Sequence, residues 1–281
     1  MQQKKIHKIR KYPLGTEIIM LILAAIWVIP IYYLVVTTFK SPQEATDRPL
    51  GIPLEWHFEN YVNAFQKMEY PRALCNTLFI TVVTVTFVVI LGAMAGYALA
   101  RSNRKINAKI FLLFLAGLTV PFQMNIISLY KILINLKLMN KFAGVILVDI
   151  SLSLPQAIFL FREFVNASVP REIDEAADLD GCTPMRKFFT VVLPLLKPIV
   201  ATDMILCTLS VWNDFMMPLL LLQHRKKSVL LLEVYRNIGQ FSINWTSLFP
   251  MLMLAVLPLL IFYVIMQKHI ISGVAAGAVK G

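Results

Sequence analysis

Charge is scarce in this sequence. Only 15% of its 281 residues are charged, and carboxylates are the scarcer kind, 16 Asp and Glu against 27 Lys and Arg. Soluble domains carry about a quarter of their residues charged, so this shortage, with 58% hydrophobic residues and a mean hydropathy of +0.68, excludes an ordinary water-soluble globule. Three cysteines, Cys75, Cys182 and Cys207, stand far apart without a CxxC pair, which supports neither a disulfide framework nor a zinc site. The four histidines, His7, His57, His224 and His269, fall outside the long apolar runs, and neither HExxH nor GxSxG occurs, so no metal site and no hydrolase signature is present. A GxxxxGK[ST] phosphate loop is missing as well. The nearest lookalike, Gly273 to Lys280, lacks the Gly-Lys-Ser/Thr ending, so any ATP chemistry must come from a partner. The basic excess, a formal charge of +11, is spread over the N-terminus and short segments between apolar runs. That distribution fits the cytoplasmic face of a membrane protein and not a nucleic-acid site.

What the sequence has in abundance is apolar runs of spanning length. Six are marked: 18–39, 76–100, 110–133, 142–165, 199–222 and 248–267. About 20 residues at 1.5 Å each cross a hydrocarbon core, and in lipid each run must be a helix because its backbone has no water to bond to. The first run ends in TTFKS without a small-residue cleavage pattern and reads as an uncleaved span. The fold class is therefore all-α, a polytopic membrane protein of six transmembrane helices. Basic clusters at Lys4, Lys5, Lys8, Arg10 and Lys11, and at Arg101, Arg104, Lys105 and Lys109, place their segments in the cytoplasm. Residues 1–17 and 268–281 are then cytoplasmic termini, 40–71 an extracytoplasmic loop with a short helix near Glu59 to Phe65, and 166–198 a cytoplasmic loop within the core of 72–267. The outer segment Arg225, Lys226 and Lys227 runs against the charge rule.

Several polar or small residues interrupt the runs. Gly92 and Gly96 lie four apart on one helical face and read as a close helix contact. Pro121 kinks the third run, and Gln123 and Asn125 beside it either satisfy the freed backbone or line an aqueous path. Asn213 and Asp214, next to Pro218, serve interhelical hydrogen bonding or that same path. Asp203 and Asp149 read as carboxylates reaching the inner and outer interfaces. An ion-coupled secondary transporter would use Asp203 or Asp214 to bind its ion, although the paired broken helices expected of one are not apparent.

The one concentration of carboxylates is PREIDEAADLDGCTPMRKFFTVVLP, residues 170–194. Pro170 suits a helix start, and Glu172, Asp174 and Glu175 follow in the first turn, where the dipole favours them. Ile173, Ala176 and Ala177 form one face, and Gly181 is placed to end the helix with a positive φ. So short a helix needs a surface to lie on. A second helix begins after Thr183-Pro184 and breaks at Leu193-Pro194.

Glu175-Ala176-Ala177, three residues, Gly181, nine residues, Val191, one residue, then Leu193-Pro194 resembles the EAA signature of binding-protein-dependent ABC importer permeases, with Val191 where isoleucine is usual. NYVNAF, LSLPQAIFLFREFV, VWNDFMMPLLLL and the terminal SGVAAGAVKG are similar to the carbohydrate branch of that family, in particular the smaller permease subunit of maltose-type transporters. The likeness runs from about Asn60 to Gly281. It implies a type I ABC importer transmembrane fold in the cell membrane, whose EAA loop docks in a cytoplasmic ATPase subunit and transmits its closure to the fourth and fifth spans. It also implies a second homologous permease, an extracytoplasmic solute-binding protein, a sugar as cargo, and ATP and Mg held by the ATPase. Gln223 to Trp245 would reach toward the binding protein and Ser272 to Gly281 toward the ATPase interface.

Overall fold

The computed structural model describes residues 14–238 and 243–278, and every regular element among them is helical. The basic N-terminal cluster, the last three residues of the tail and residues 239–242 lie outside the described residues. Two compact units result: one takes the described residues up to Phe65 with Ile238–Met253, the other Gln66–Asn237 with the residues from Leu254 onward.

The first unit holds α1 (Leu14–Thr37), long and apolar enough to span, and α2 (Pro42–Asp47), which the sequence reading did not foresee. Ser41 starts α2 by accepting a hydrogen bond from the Glu44 amide, with Pro42 in the first turn where its missing N–H costs nothing. Lys40 is fully buried and donates to the carbonyls of Arg48 (2.7 Å) and Pro49 (3.0 Å), pinning the chain that leaves α2. Burial lowers the pKa of its ammonium from the ordinary lysine value, because the charged form has lost its water. The expected short helix appears as α3 (Glu59–Lys67). Asn60 donates to the carbonyls of Thr38 and Lys40, and Phe39 packs its ring against Trp56, Phe58 and Tyr61.

The second unit is built on α4 (Tyr70–Arg101) packed along α7 (Phe142–Ser168). The glycine pair explains their closeness. A Cβ on Gly92 would stand 2.7 Å from the Cβ of Ala157, and one on Gly96 2.7 Å from the Cβ of Phe161 and 2.9 Å from the Arg162 nitrogen. Between these helices in sequence come α5 (Lys105–Thr119) and α6 (Ile126–Asn135), separated by a 3₁₀ turn (Phe122–Asn125) and bent by 89°. The bend starts where the sequence indicated. Val120 is extended (φ −90°, ψ 115°), as a residue before proline tends to be, and the helix has already ended at Thr119.

After α7 comes α8 (Arg171–Leu179). Next, α9 (Pro184–Arg186) passes through a π-helix (Lys187–Val192) into α10 (Leu193–Leu195), and α11 (Lys197–Trp212) follows at an 81° bend. The break therefore falls at Leu196, two residues beyond the Leu193-Pro194 expected from the sequence. The wide turn lets the Leu193 amide reach the Phe188 carbonyl, so the ladder absorbs Pro194 without ending there. The fifth apolar run is also two helices, α11 and α12 (Met216–Leu221), with Asn213–Phe215 between them. Beyond it, α13 (Leu230–Arg236) occupies a stretch read as loop, and α14 (Trp245–Ala278) begins in the first unit and continues in the second. Four helices are long and apolar enough to cross a membrane, or six if each bent pair is one span.

Candidate coupling site

The acidic stretch folds as a short amphipathic helix and a stop. α8 is nine residues long. It closes with the Cys182 amide on the Ala177 carbonyl (3.0 Å) and the Gly181 amide on the Asp178 carbonyl (3.1 Å), the double bond of a Schellman cap. Gly181 takes φ +70°, with no heavy atom of this chain within 4 Å of where its Cβ would be. The glycine is therefore required by its backbone angle and not by crowding from its own chain. Ala177 is buried, whereas Glu175, Ala176 and Gly181 are exposed. Leu193 is half-buried and Pro194 exposed, in the segment that leads into α11.

Two carboxylates of α8 are anchored to other parts of the chain. Asp174 accepts hydrogen bonds from the Tyr97 hydroxyl on Oδ1 and from Arg101 Nε (2.6 Å) on Oδ2, and the two ion-pair side chains are only 13% and 16% exposed. Arg101 also donates to the carbonyls of Val169 (2.8 Å) and Pro170 (3.3 Å), which lead into α8. Asp178 accepts from Lys187 Nζ at 2.7 and 2.9 Å, tying α8 to the π-helix. Among the described residues, Glu172, Glu175 and Asp180 make no ion pair. The anchored side of α8 is thus Asp174, Ala177 and Asp178. On its uncovered part Leu179 is 89% exposed, Ala176 is exposed, and Met185 of α9 is 56% exposed.

The residues proposed for a path sit at the two mid-chain breaks. Gln123 and Asn125 are exposed on the 3₁₀ turn between α5 and α6. Asn213 Nδ2 donates to the Leu209 carbonyl (2.8 Å) and so closes the end of α11, while Asp214 Oδ1 accepts from the Met216 (3.0 Å) and Met217 (3.3 Å) amides and so starts α12. These bonds are local, while the Asp214 carboxyl also meets that of Asp149 on α7, an interhelical contact. Among the described residues no hydrogen bond joins one break to the other. Asp149 and Asp203 are buried between helices. They are 5% and 2% exposed, because α7 and α11 pack against each other and α4 over those turns; Asp149 and Asp214 line one small cavity with Thr77 and Thr81. Trp212 Nε1 donates to the Ala255 carbonyl (3.1 Å), holding the end of α11 on α14.

At the other end of α4 a second polar cluster forms. Glu233, fully buried, accepts from Arg72 (2.7 Å), and Arg225 donates to the Lys67 carbonyl (2.7 Å). Asn140 takes the Gln223 and His224 amides on its side-chain oxygen and Lys227 on its carbonyl, so the segment after α6 and the basic segment after α12 are clasped together. At 1.5 Å per residue the 32 residues of α4 put about 48 Å between this end and Arg101.

Residues 88–275, which contain α8, its cap and both bends around α11, match the family model described as binding-protein-dependent transport system inner membrane component. The chain belongs to this family. The permease is similar over nearly its whole length to two relatives. One is the multiple sugar-binding transport system permease protein MsmG of Streptococcus mutans, 32% identical over 290 residues with 99% of each chain covered. The other is the melibiose/raffinose/stachyose import permease protein MelC of Bacillus subtilis, 30% identical over 260 residues, 92% of this chain and 94% of that one. A solved structure, a bacterial ABC transporter involved in the import of the acidic polysaccharide alginate, superimposes with a TM-score of 0.78 over 92% of the permease and 98% of its own chain at 22% identity, which establishes the transmembrane fold. The permease is thus a multi-pass membrane protein with the transmembrane fold of an ABC importer.

Proposed function

We propose that this chain is the permease subunit through which an ATP-driven importer passes a sugar or oligosaccharide handed over by an extracytoplasmic binding protein. The relatives carry sugar-import names over 90% or more of this chain, which supports the substrate class. The partners of this reading are an ABC ATPase, which holds ATP and Mg, and a second, related permease that completes the pore. Both termini and α8 lie in the cytoplasm, consistent with the basic residues at Arg101, Arg104, Lys105 and Lys109 around the same end of α4.

Glu175, Ala176, Ala177, Gly181, Leu193 and Pro194 couple the permease to the ATPase. One observation carries this: α8 is held on one side by Asp174 and Asp178, while its other side offers Ala176 and an 89% exposed Leu179 beside an uncrowded Gly181. A nine-residue helix with a bare apolar side is unstable in water and calls for a covering surface. Gln123, Asn125, Asn213 and Asp214 line the translocation path, where irregular backbone inside a membrane is tolerated. The ion-coupled alternative through Asp203 or Asp214 gains no support from these relatives.

Gly181→Asp tests the docking. Aspartate tolerates a left-handed backbone better than branched residues do, so the cost to the fold is about 1 kcal/mol, while the new side chain projects into the open space. The expected outcome is normal membrane insertion, loss of the ATPase from the purified complex and loss of uptake. Uptake at the wild-type rate would overturn the assignment. Ligand screening of the cognate binding protein would name the sugar.

A further inference from the structure

The ion pairs at the two ends of α4 do more than complete the fold. At its last turn Tyr97 and Arg101, four apart and so on one face, converge on Asp174 of α8, and Arg101 additionally holds the backbone that enters α8. The Tyr97 ring lies 5.8 Å from the Phe188 ring, which brings the π-helix to the same turn. In the first two turns, Arg72 is locked to the buried Glu233 of α13, and Asn76 donates to the Lys226 (3.1 Å) and Ser228 (2.9 Å) carbonyls. One uninterrupted helix of 32 residues joins these clusters. Of the two spans directly continuous with the loop, α7 runs unbroken from Phe142 to Ser168 with Pro155 inside it and packs along α4, while the route from α10 into α11 is bent by 81° and α11 itself stops at Trp212. A bent, interrupted element transmits an axial displacement poorly, and a continuous hydrogen-bonded helix tied at both ends transmits it well.

We propose that α4 is the rod linking the ATPase-docking helix to the extracytoplasmic segment Arg225–Arg236, with Asp174–Arg101 as its lower latch and Glu233–Arg72 as its upper one. This rests on the docking of α8 proposed above. These four are positioning residues: none needs to touch ATP or sugar. When the ATPase moves α8, the displacement enters α4 at Asp174 and reappears at Glu233. When a loaded binding protein presses on the Arg225–Arg236 segment, the same rod carries the signal back.

The importer reconstituted in liposomes with its ATPase, second permease and binding protein tests this. Asp174→Asn and Arg72→Gln should each leave ATPase retention and basal hydrolysis at wild-type levels while lowering the stimulation by loaded binding protein about tenfold, within the range of a typical coupling between distant sites. The double variant should lose no more than the worse single one, because a rod cut once transmits nothing to cut again. A multiplied loss in the double variant, or full stimulation in either single one, would overturn the proposal. If Asp174→Asn fails to assemble, Tyr97→Phe removes one hydroxyl and should still lower stimulation several-fold with assembly intact; full stimulation there refutes the latch. Should Gly181→Asp release the ATPase while Asp174→Asn keeps both ATPase and full stimulation, the rod fails and the docking stands. Retained ATPase in Gly181→Asp would instead remove the docking itself.

Discussion

Asp174 shows how a residue with a sufficient local reason can hide a long-range one. An aspartate in the first turn of a helix is explained by the dipole, and nothing in residues 170–181 points to a partner 73 positions earlier. The available signal was on the other side: Tyr97 and Arg101 are spaced to share a face at the end of an apolar span, where an arginine fork and a phenol look for a common acceptor. Gly96 is the opposite case, legible as a small residue for close packing and found so. Gly96→Val would force a branched side chain to within 3 Å of Phe161 and of backbone in α7. Overpacking of that kind costs about 1–3 kcal/mol or more where backbone must shift. Fluorescence-detected gel filtration after a temperature ramp should show the purified complex melting several degrees lower, whereas Gly181→Ala, with nothing to clash against, should lose only the roughly 1 kcal/mol of its left-handed backbone and melt closer to wild type.

At the scale of elements, apolar run length located the helices, but their integrity was only partly legible. Pro121 announced its break because a proline in a spanning run removes an amide and restricts the residue before it. The break at Leu196 was displaced from Pro194 by a π-helix, a compensation that leaves no pattern in the sequence, and the break at Asn213–Phe215 was masked by the apolar residues on both sides. The two breaks differ from the helices around them in a measurable way. Amide exchange needs water and an opened hydrogen bond. If 120–125 and 213–215 line the path, deuterium uptake there in nanodiscs should rise and fall with the ATPase bound to ATP or empty, while Val85 to Gly96 of α4 stays protected in both. Equal, slow uptake in both states would place these turns away from water and remove Gln123, Asn125, Asn213 and Asp214 from the path.

For the whole molecule, the family was legible because the spacing from Glu175 to Pro194 is long and fixed, running across two helices and the cap between them. The buried carboxylates Asp149 and Asp203 were not, since burial depends on which helices pack together and not on distance along the chain. The energy source divides the two transport classes cleanly. Reconstituted importer should accumulate sugar when ATP is supplied to the ATPase side with ionophores collapsing every ion gradient. Uptake that stops with the ionophores and ignores ATP would return the protein to the ion-coupled class.

The clasp at Asn140 bears on how the protein enters its membrane. In the proposed orientation Arg225, Lys226 and Lys227 must be moved outward during synthesis, against a potential that is negative inside, at about 2.3 kcal/mol per charge for each 100 mV. Lys227 then closes on the Asn140 carbonyl and Arg225 on the Lys67 carbonyl. Both partners come earlier in the chain and are already across. Under that orientation the bonds that shape the finished surface would also hold outside a segment that the charge rule would return to the cytoplasm.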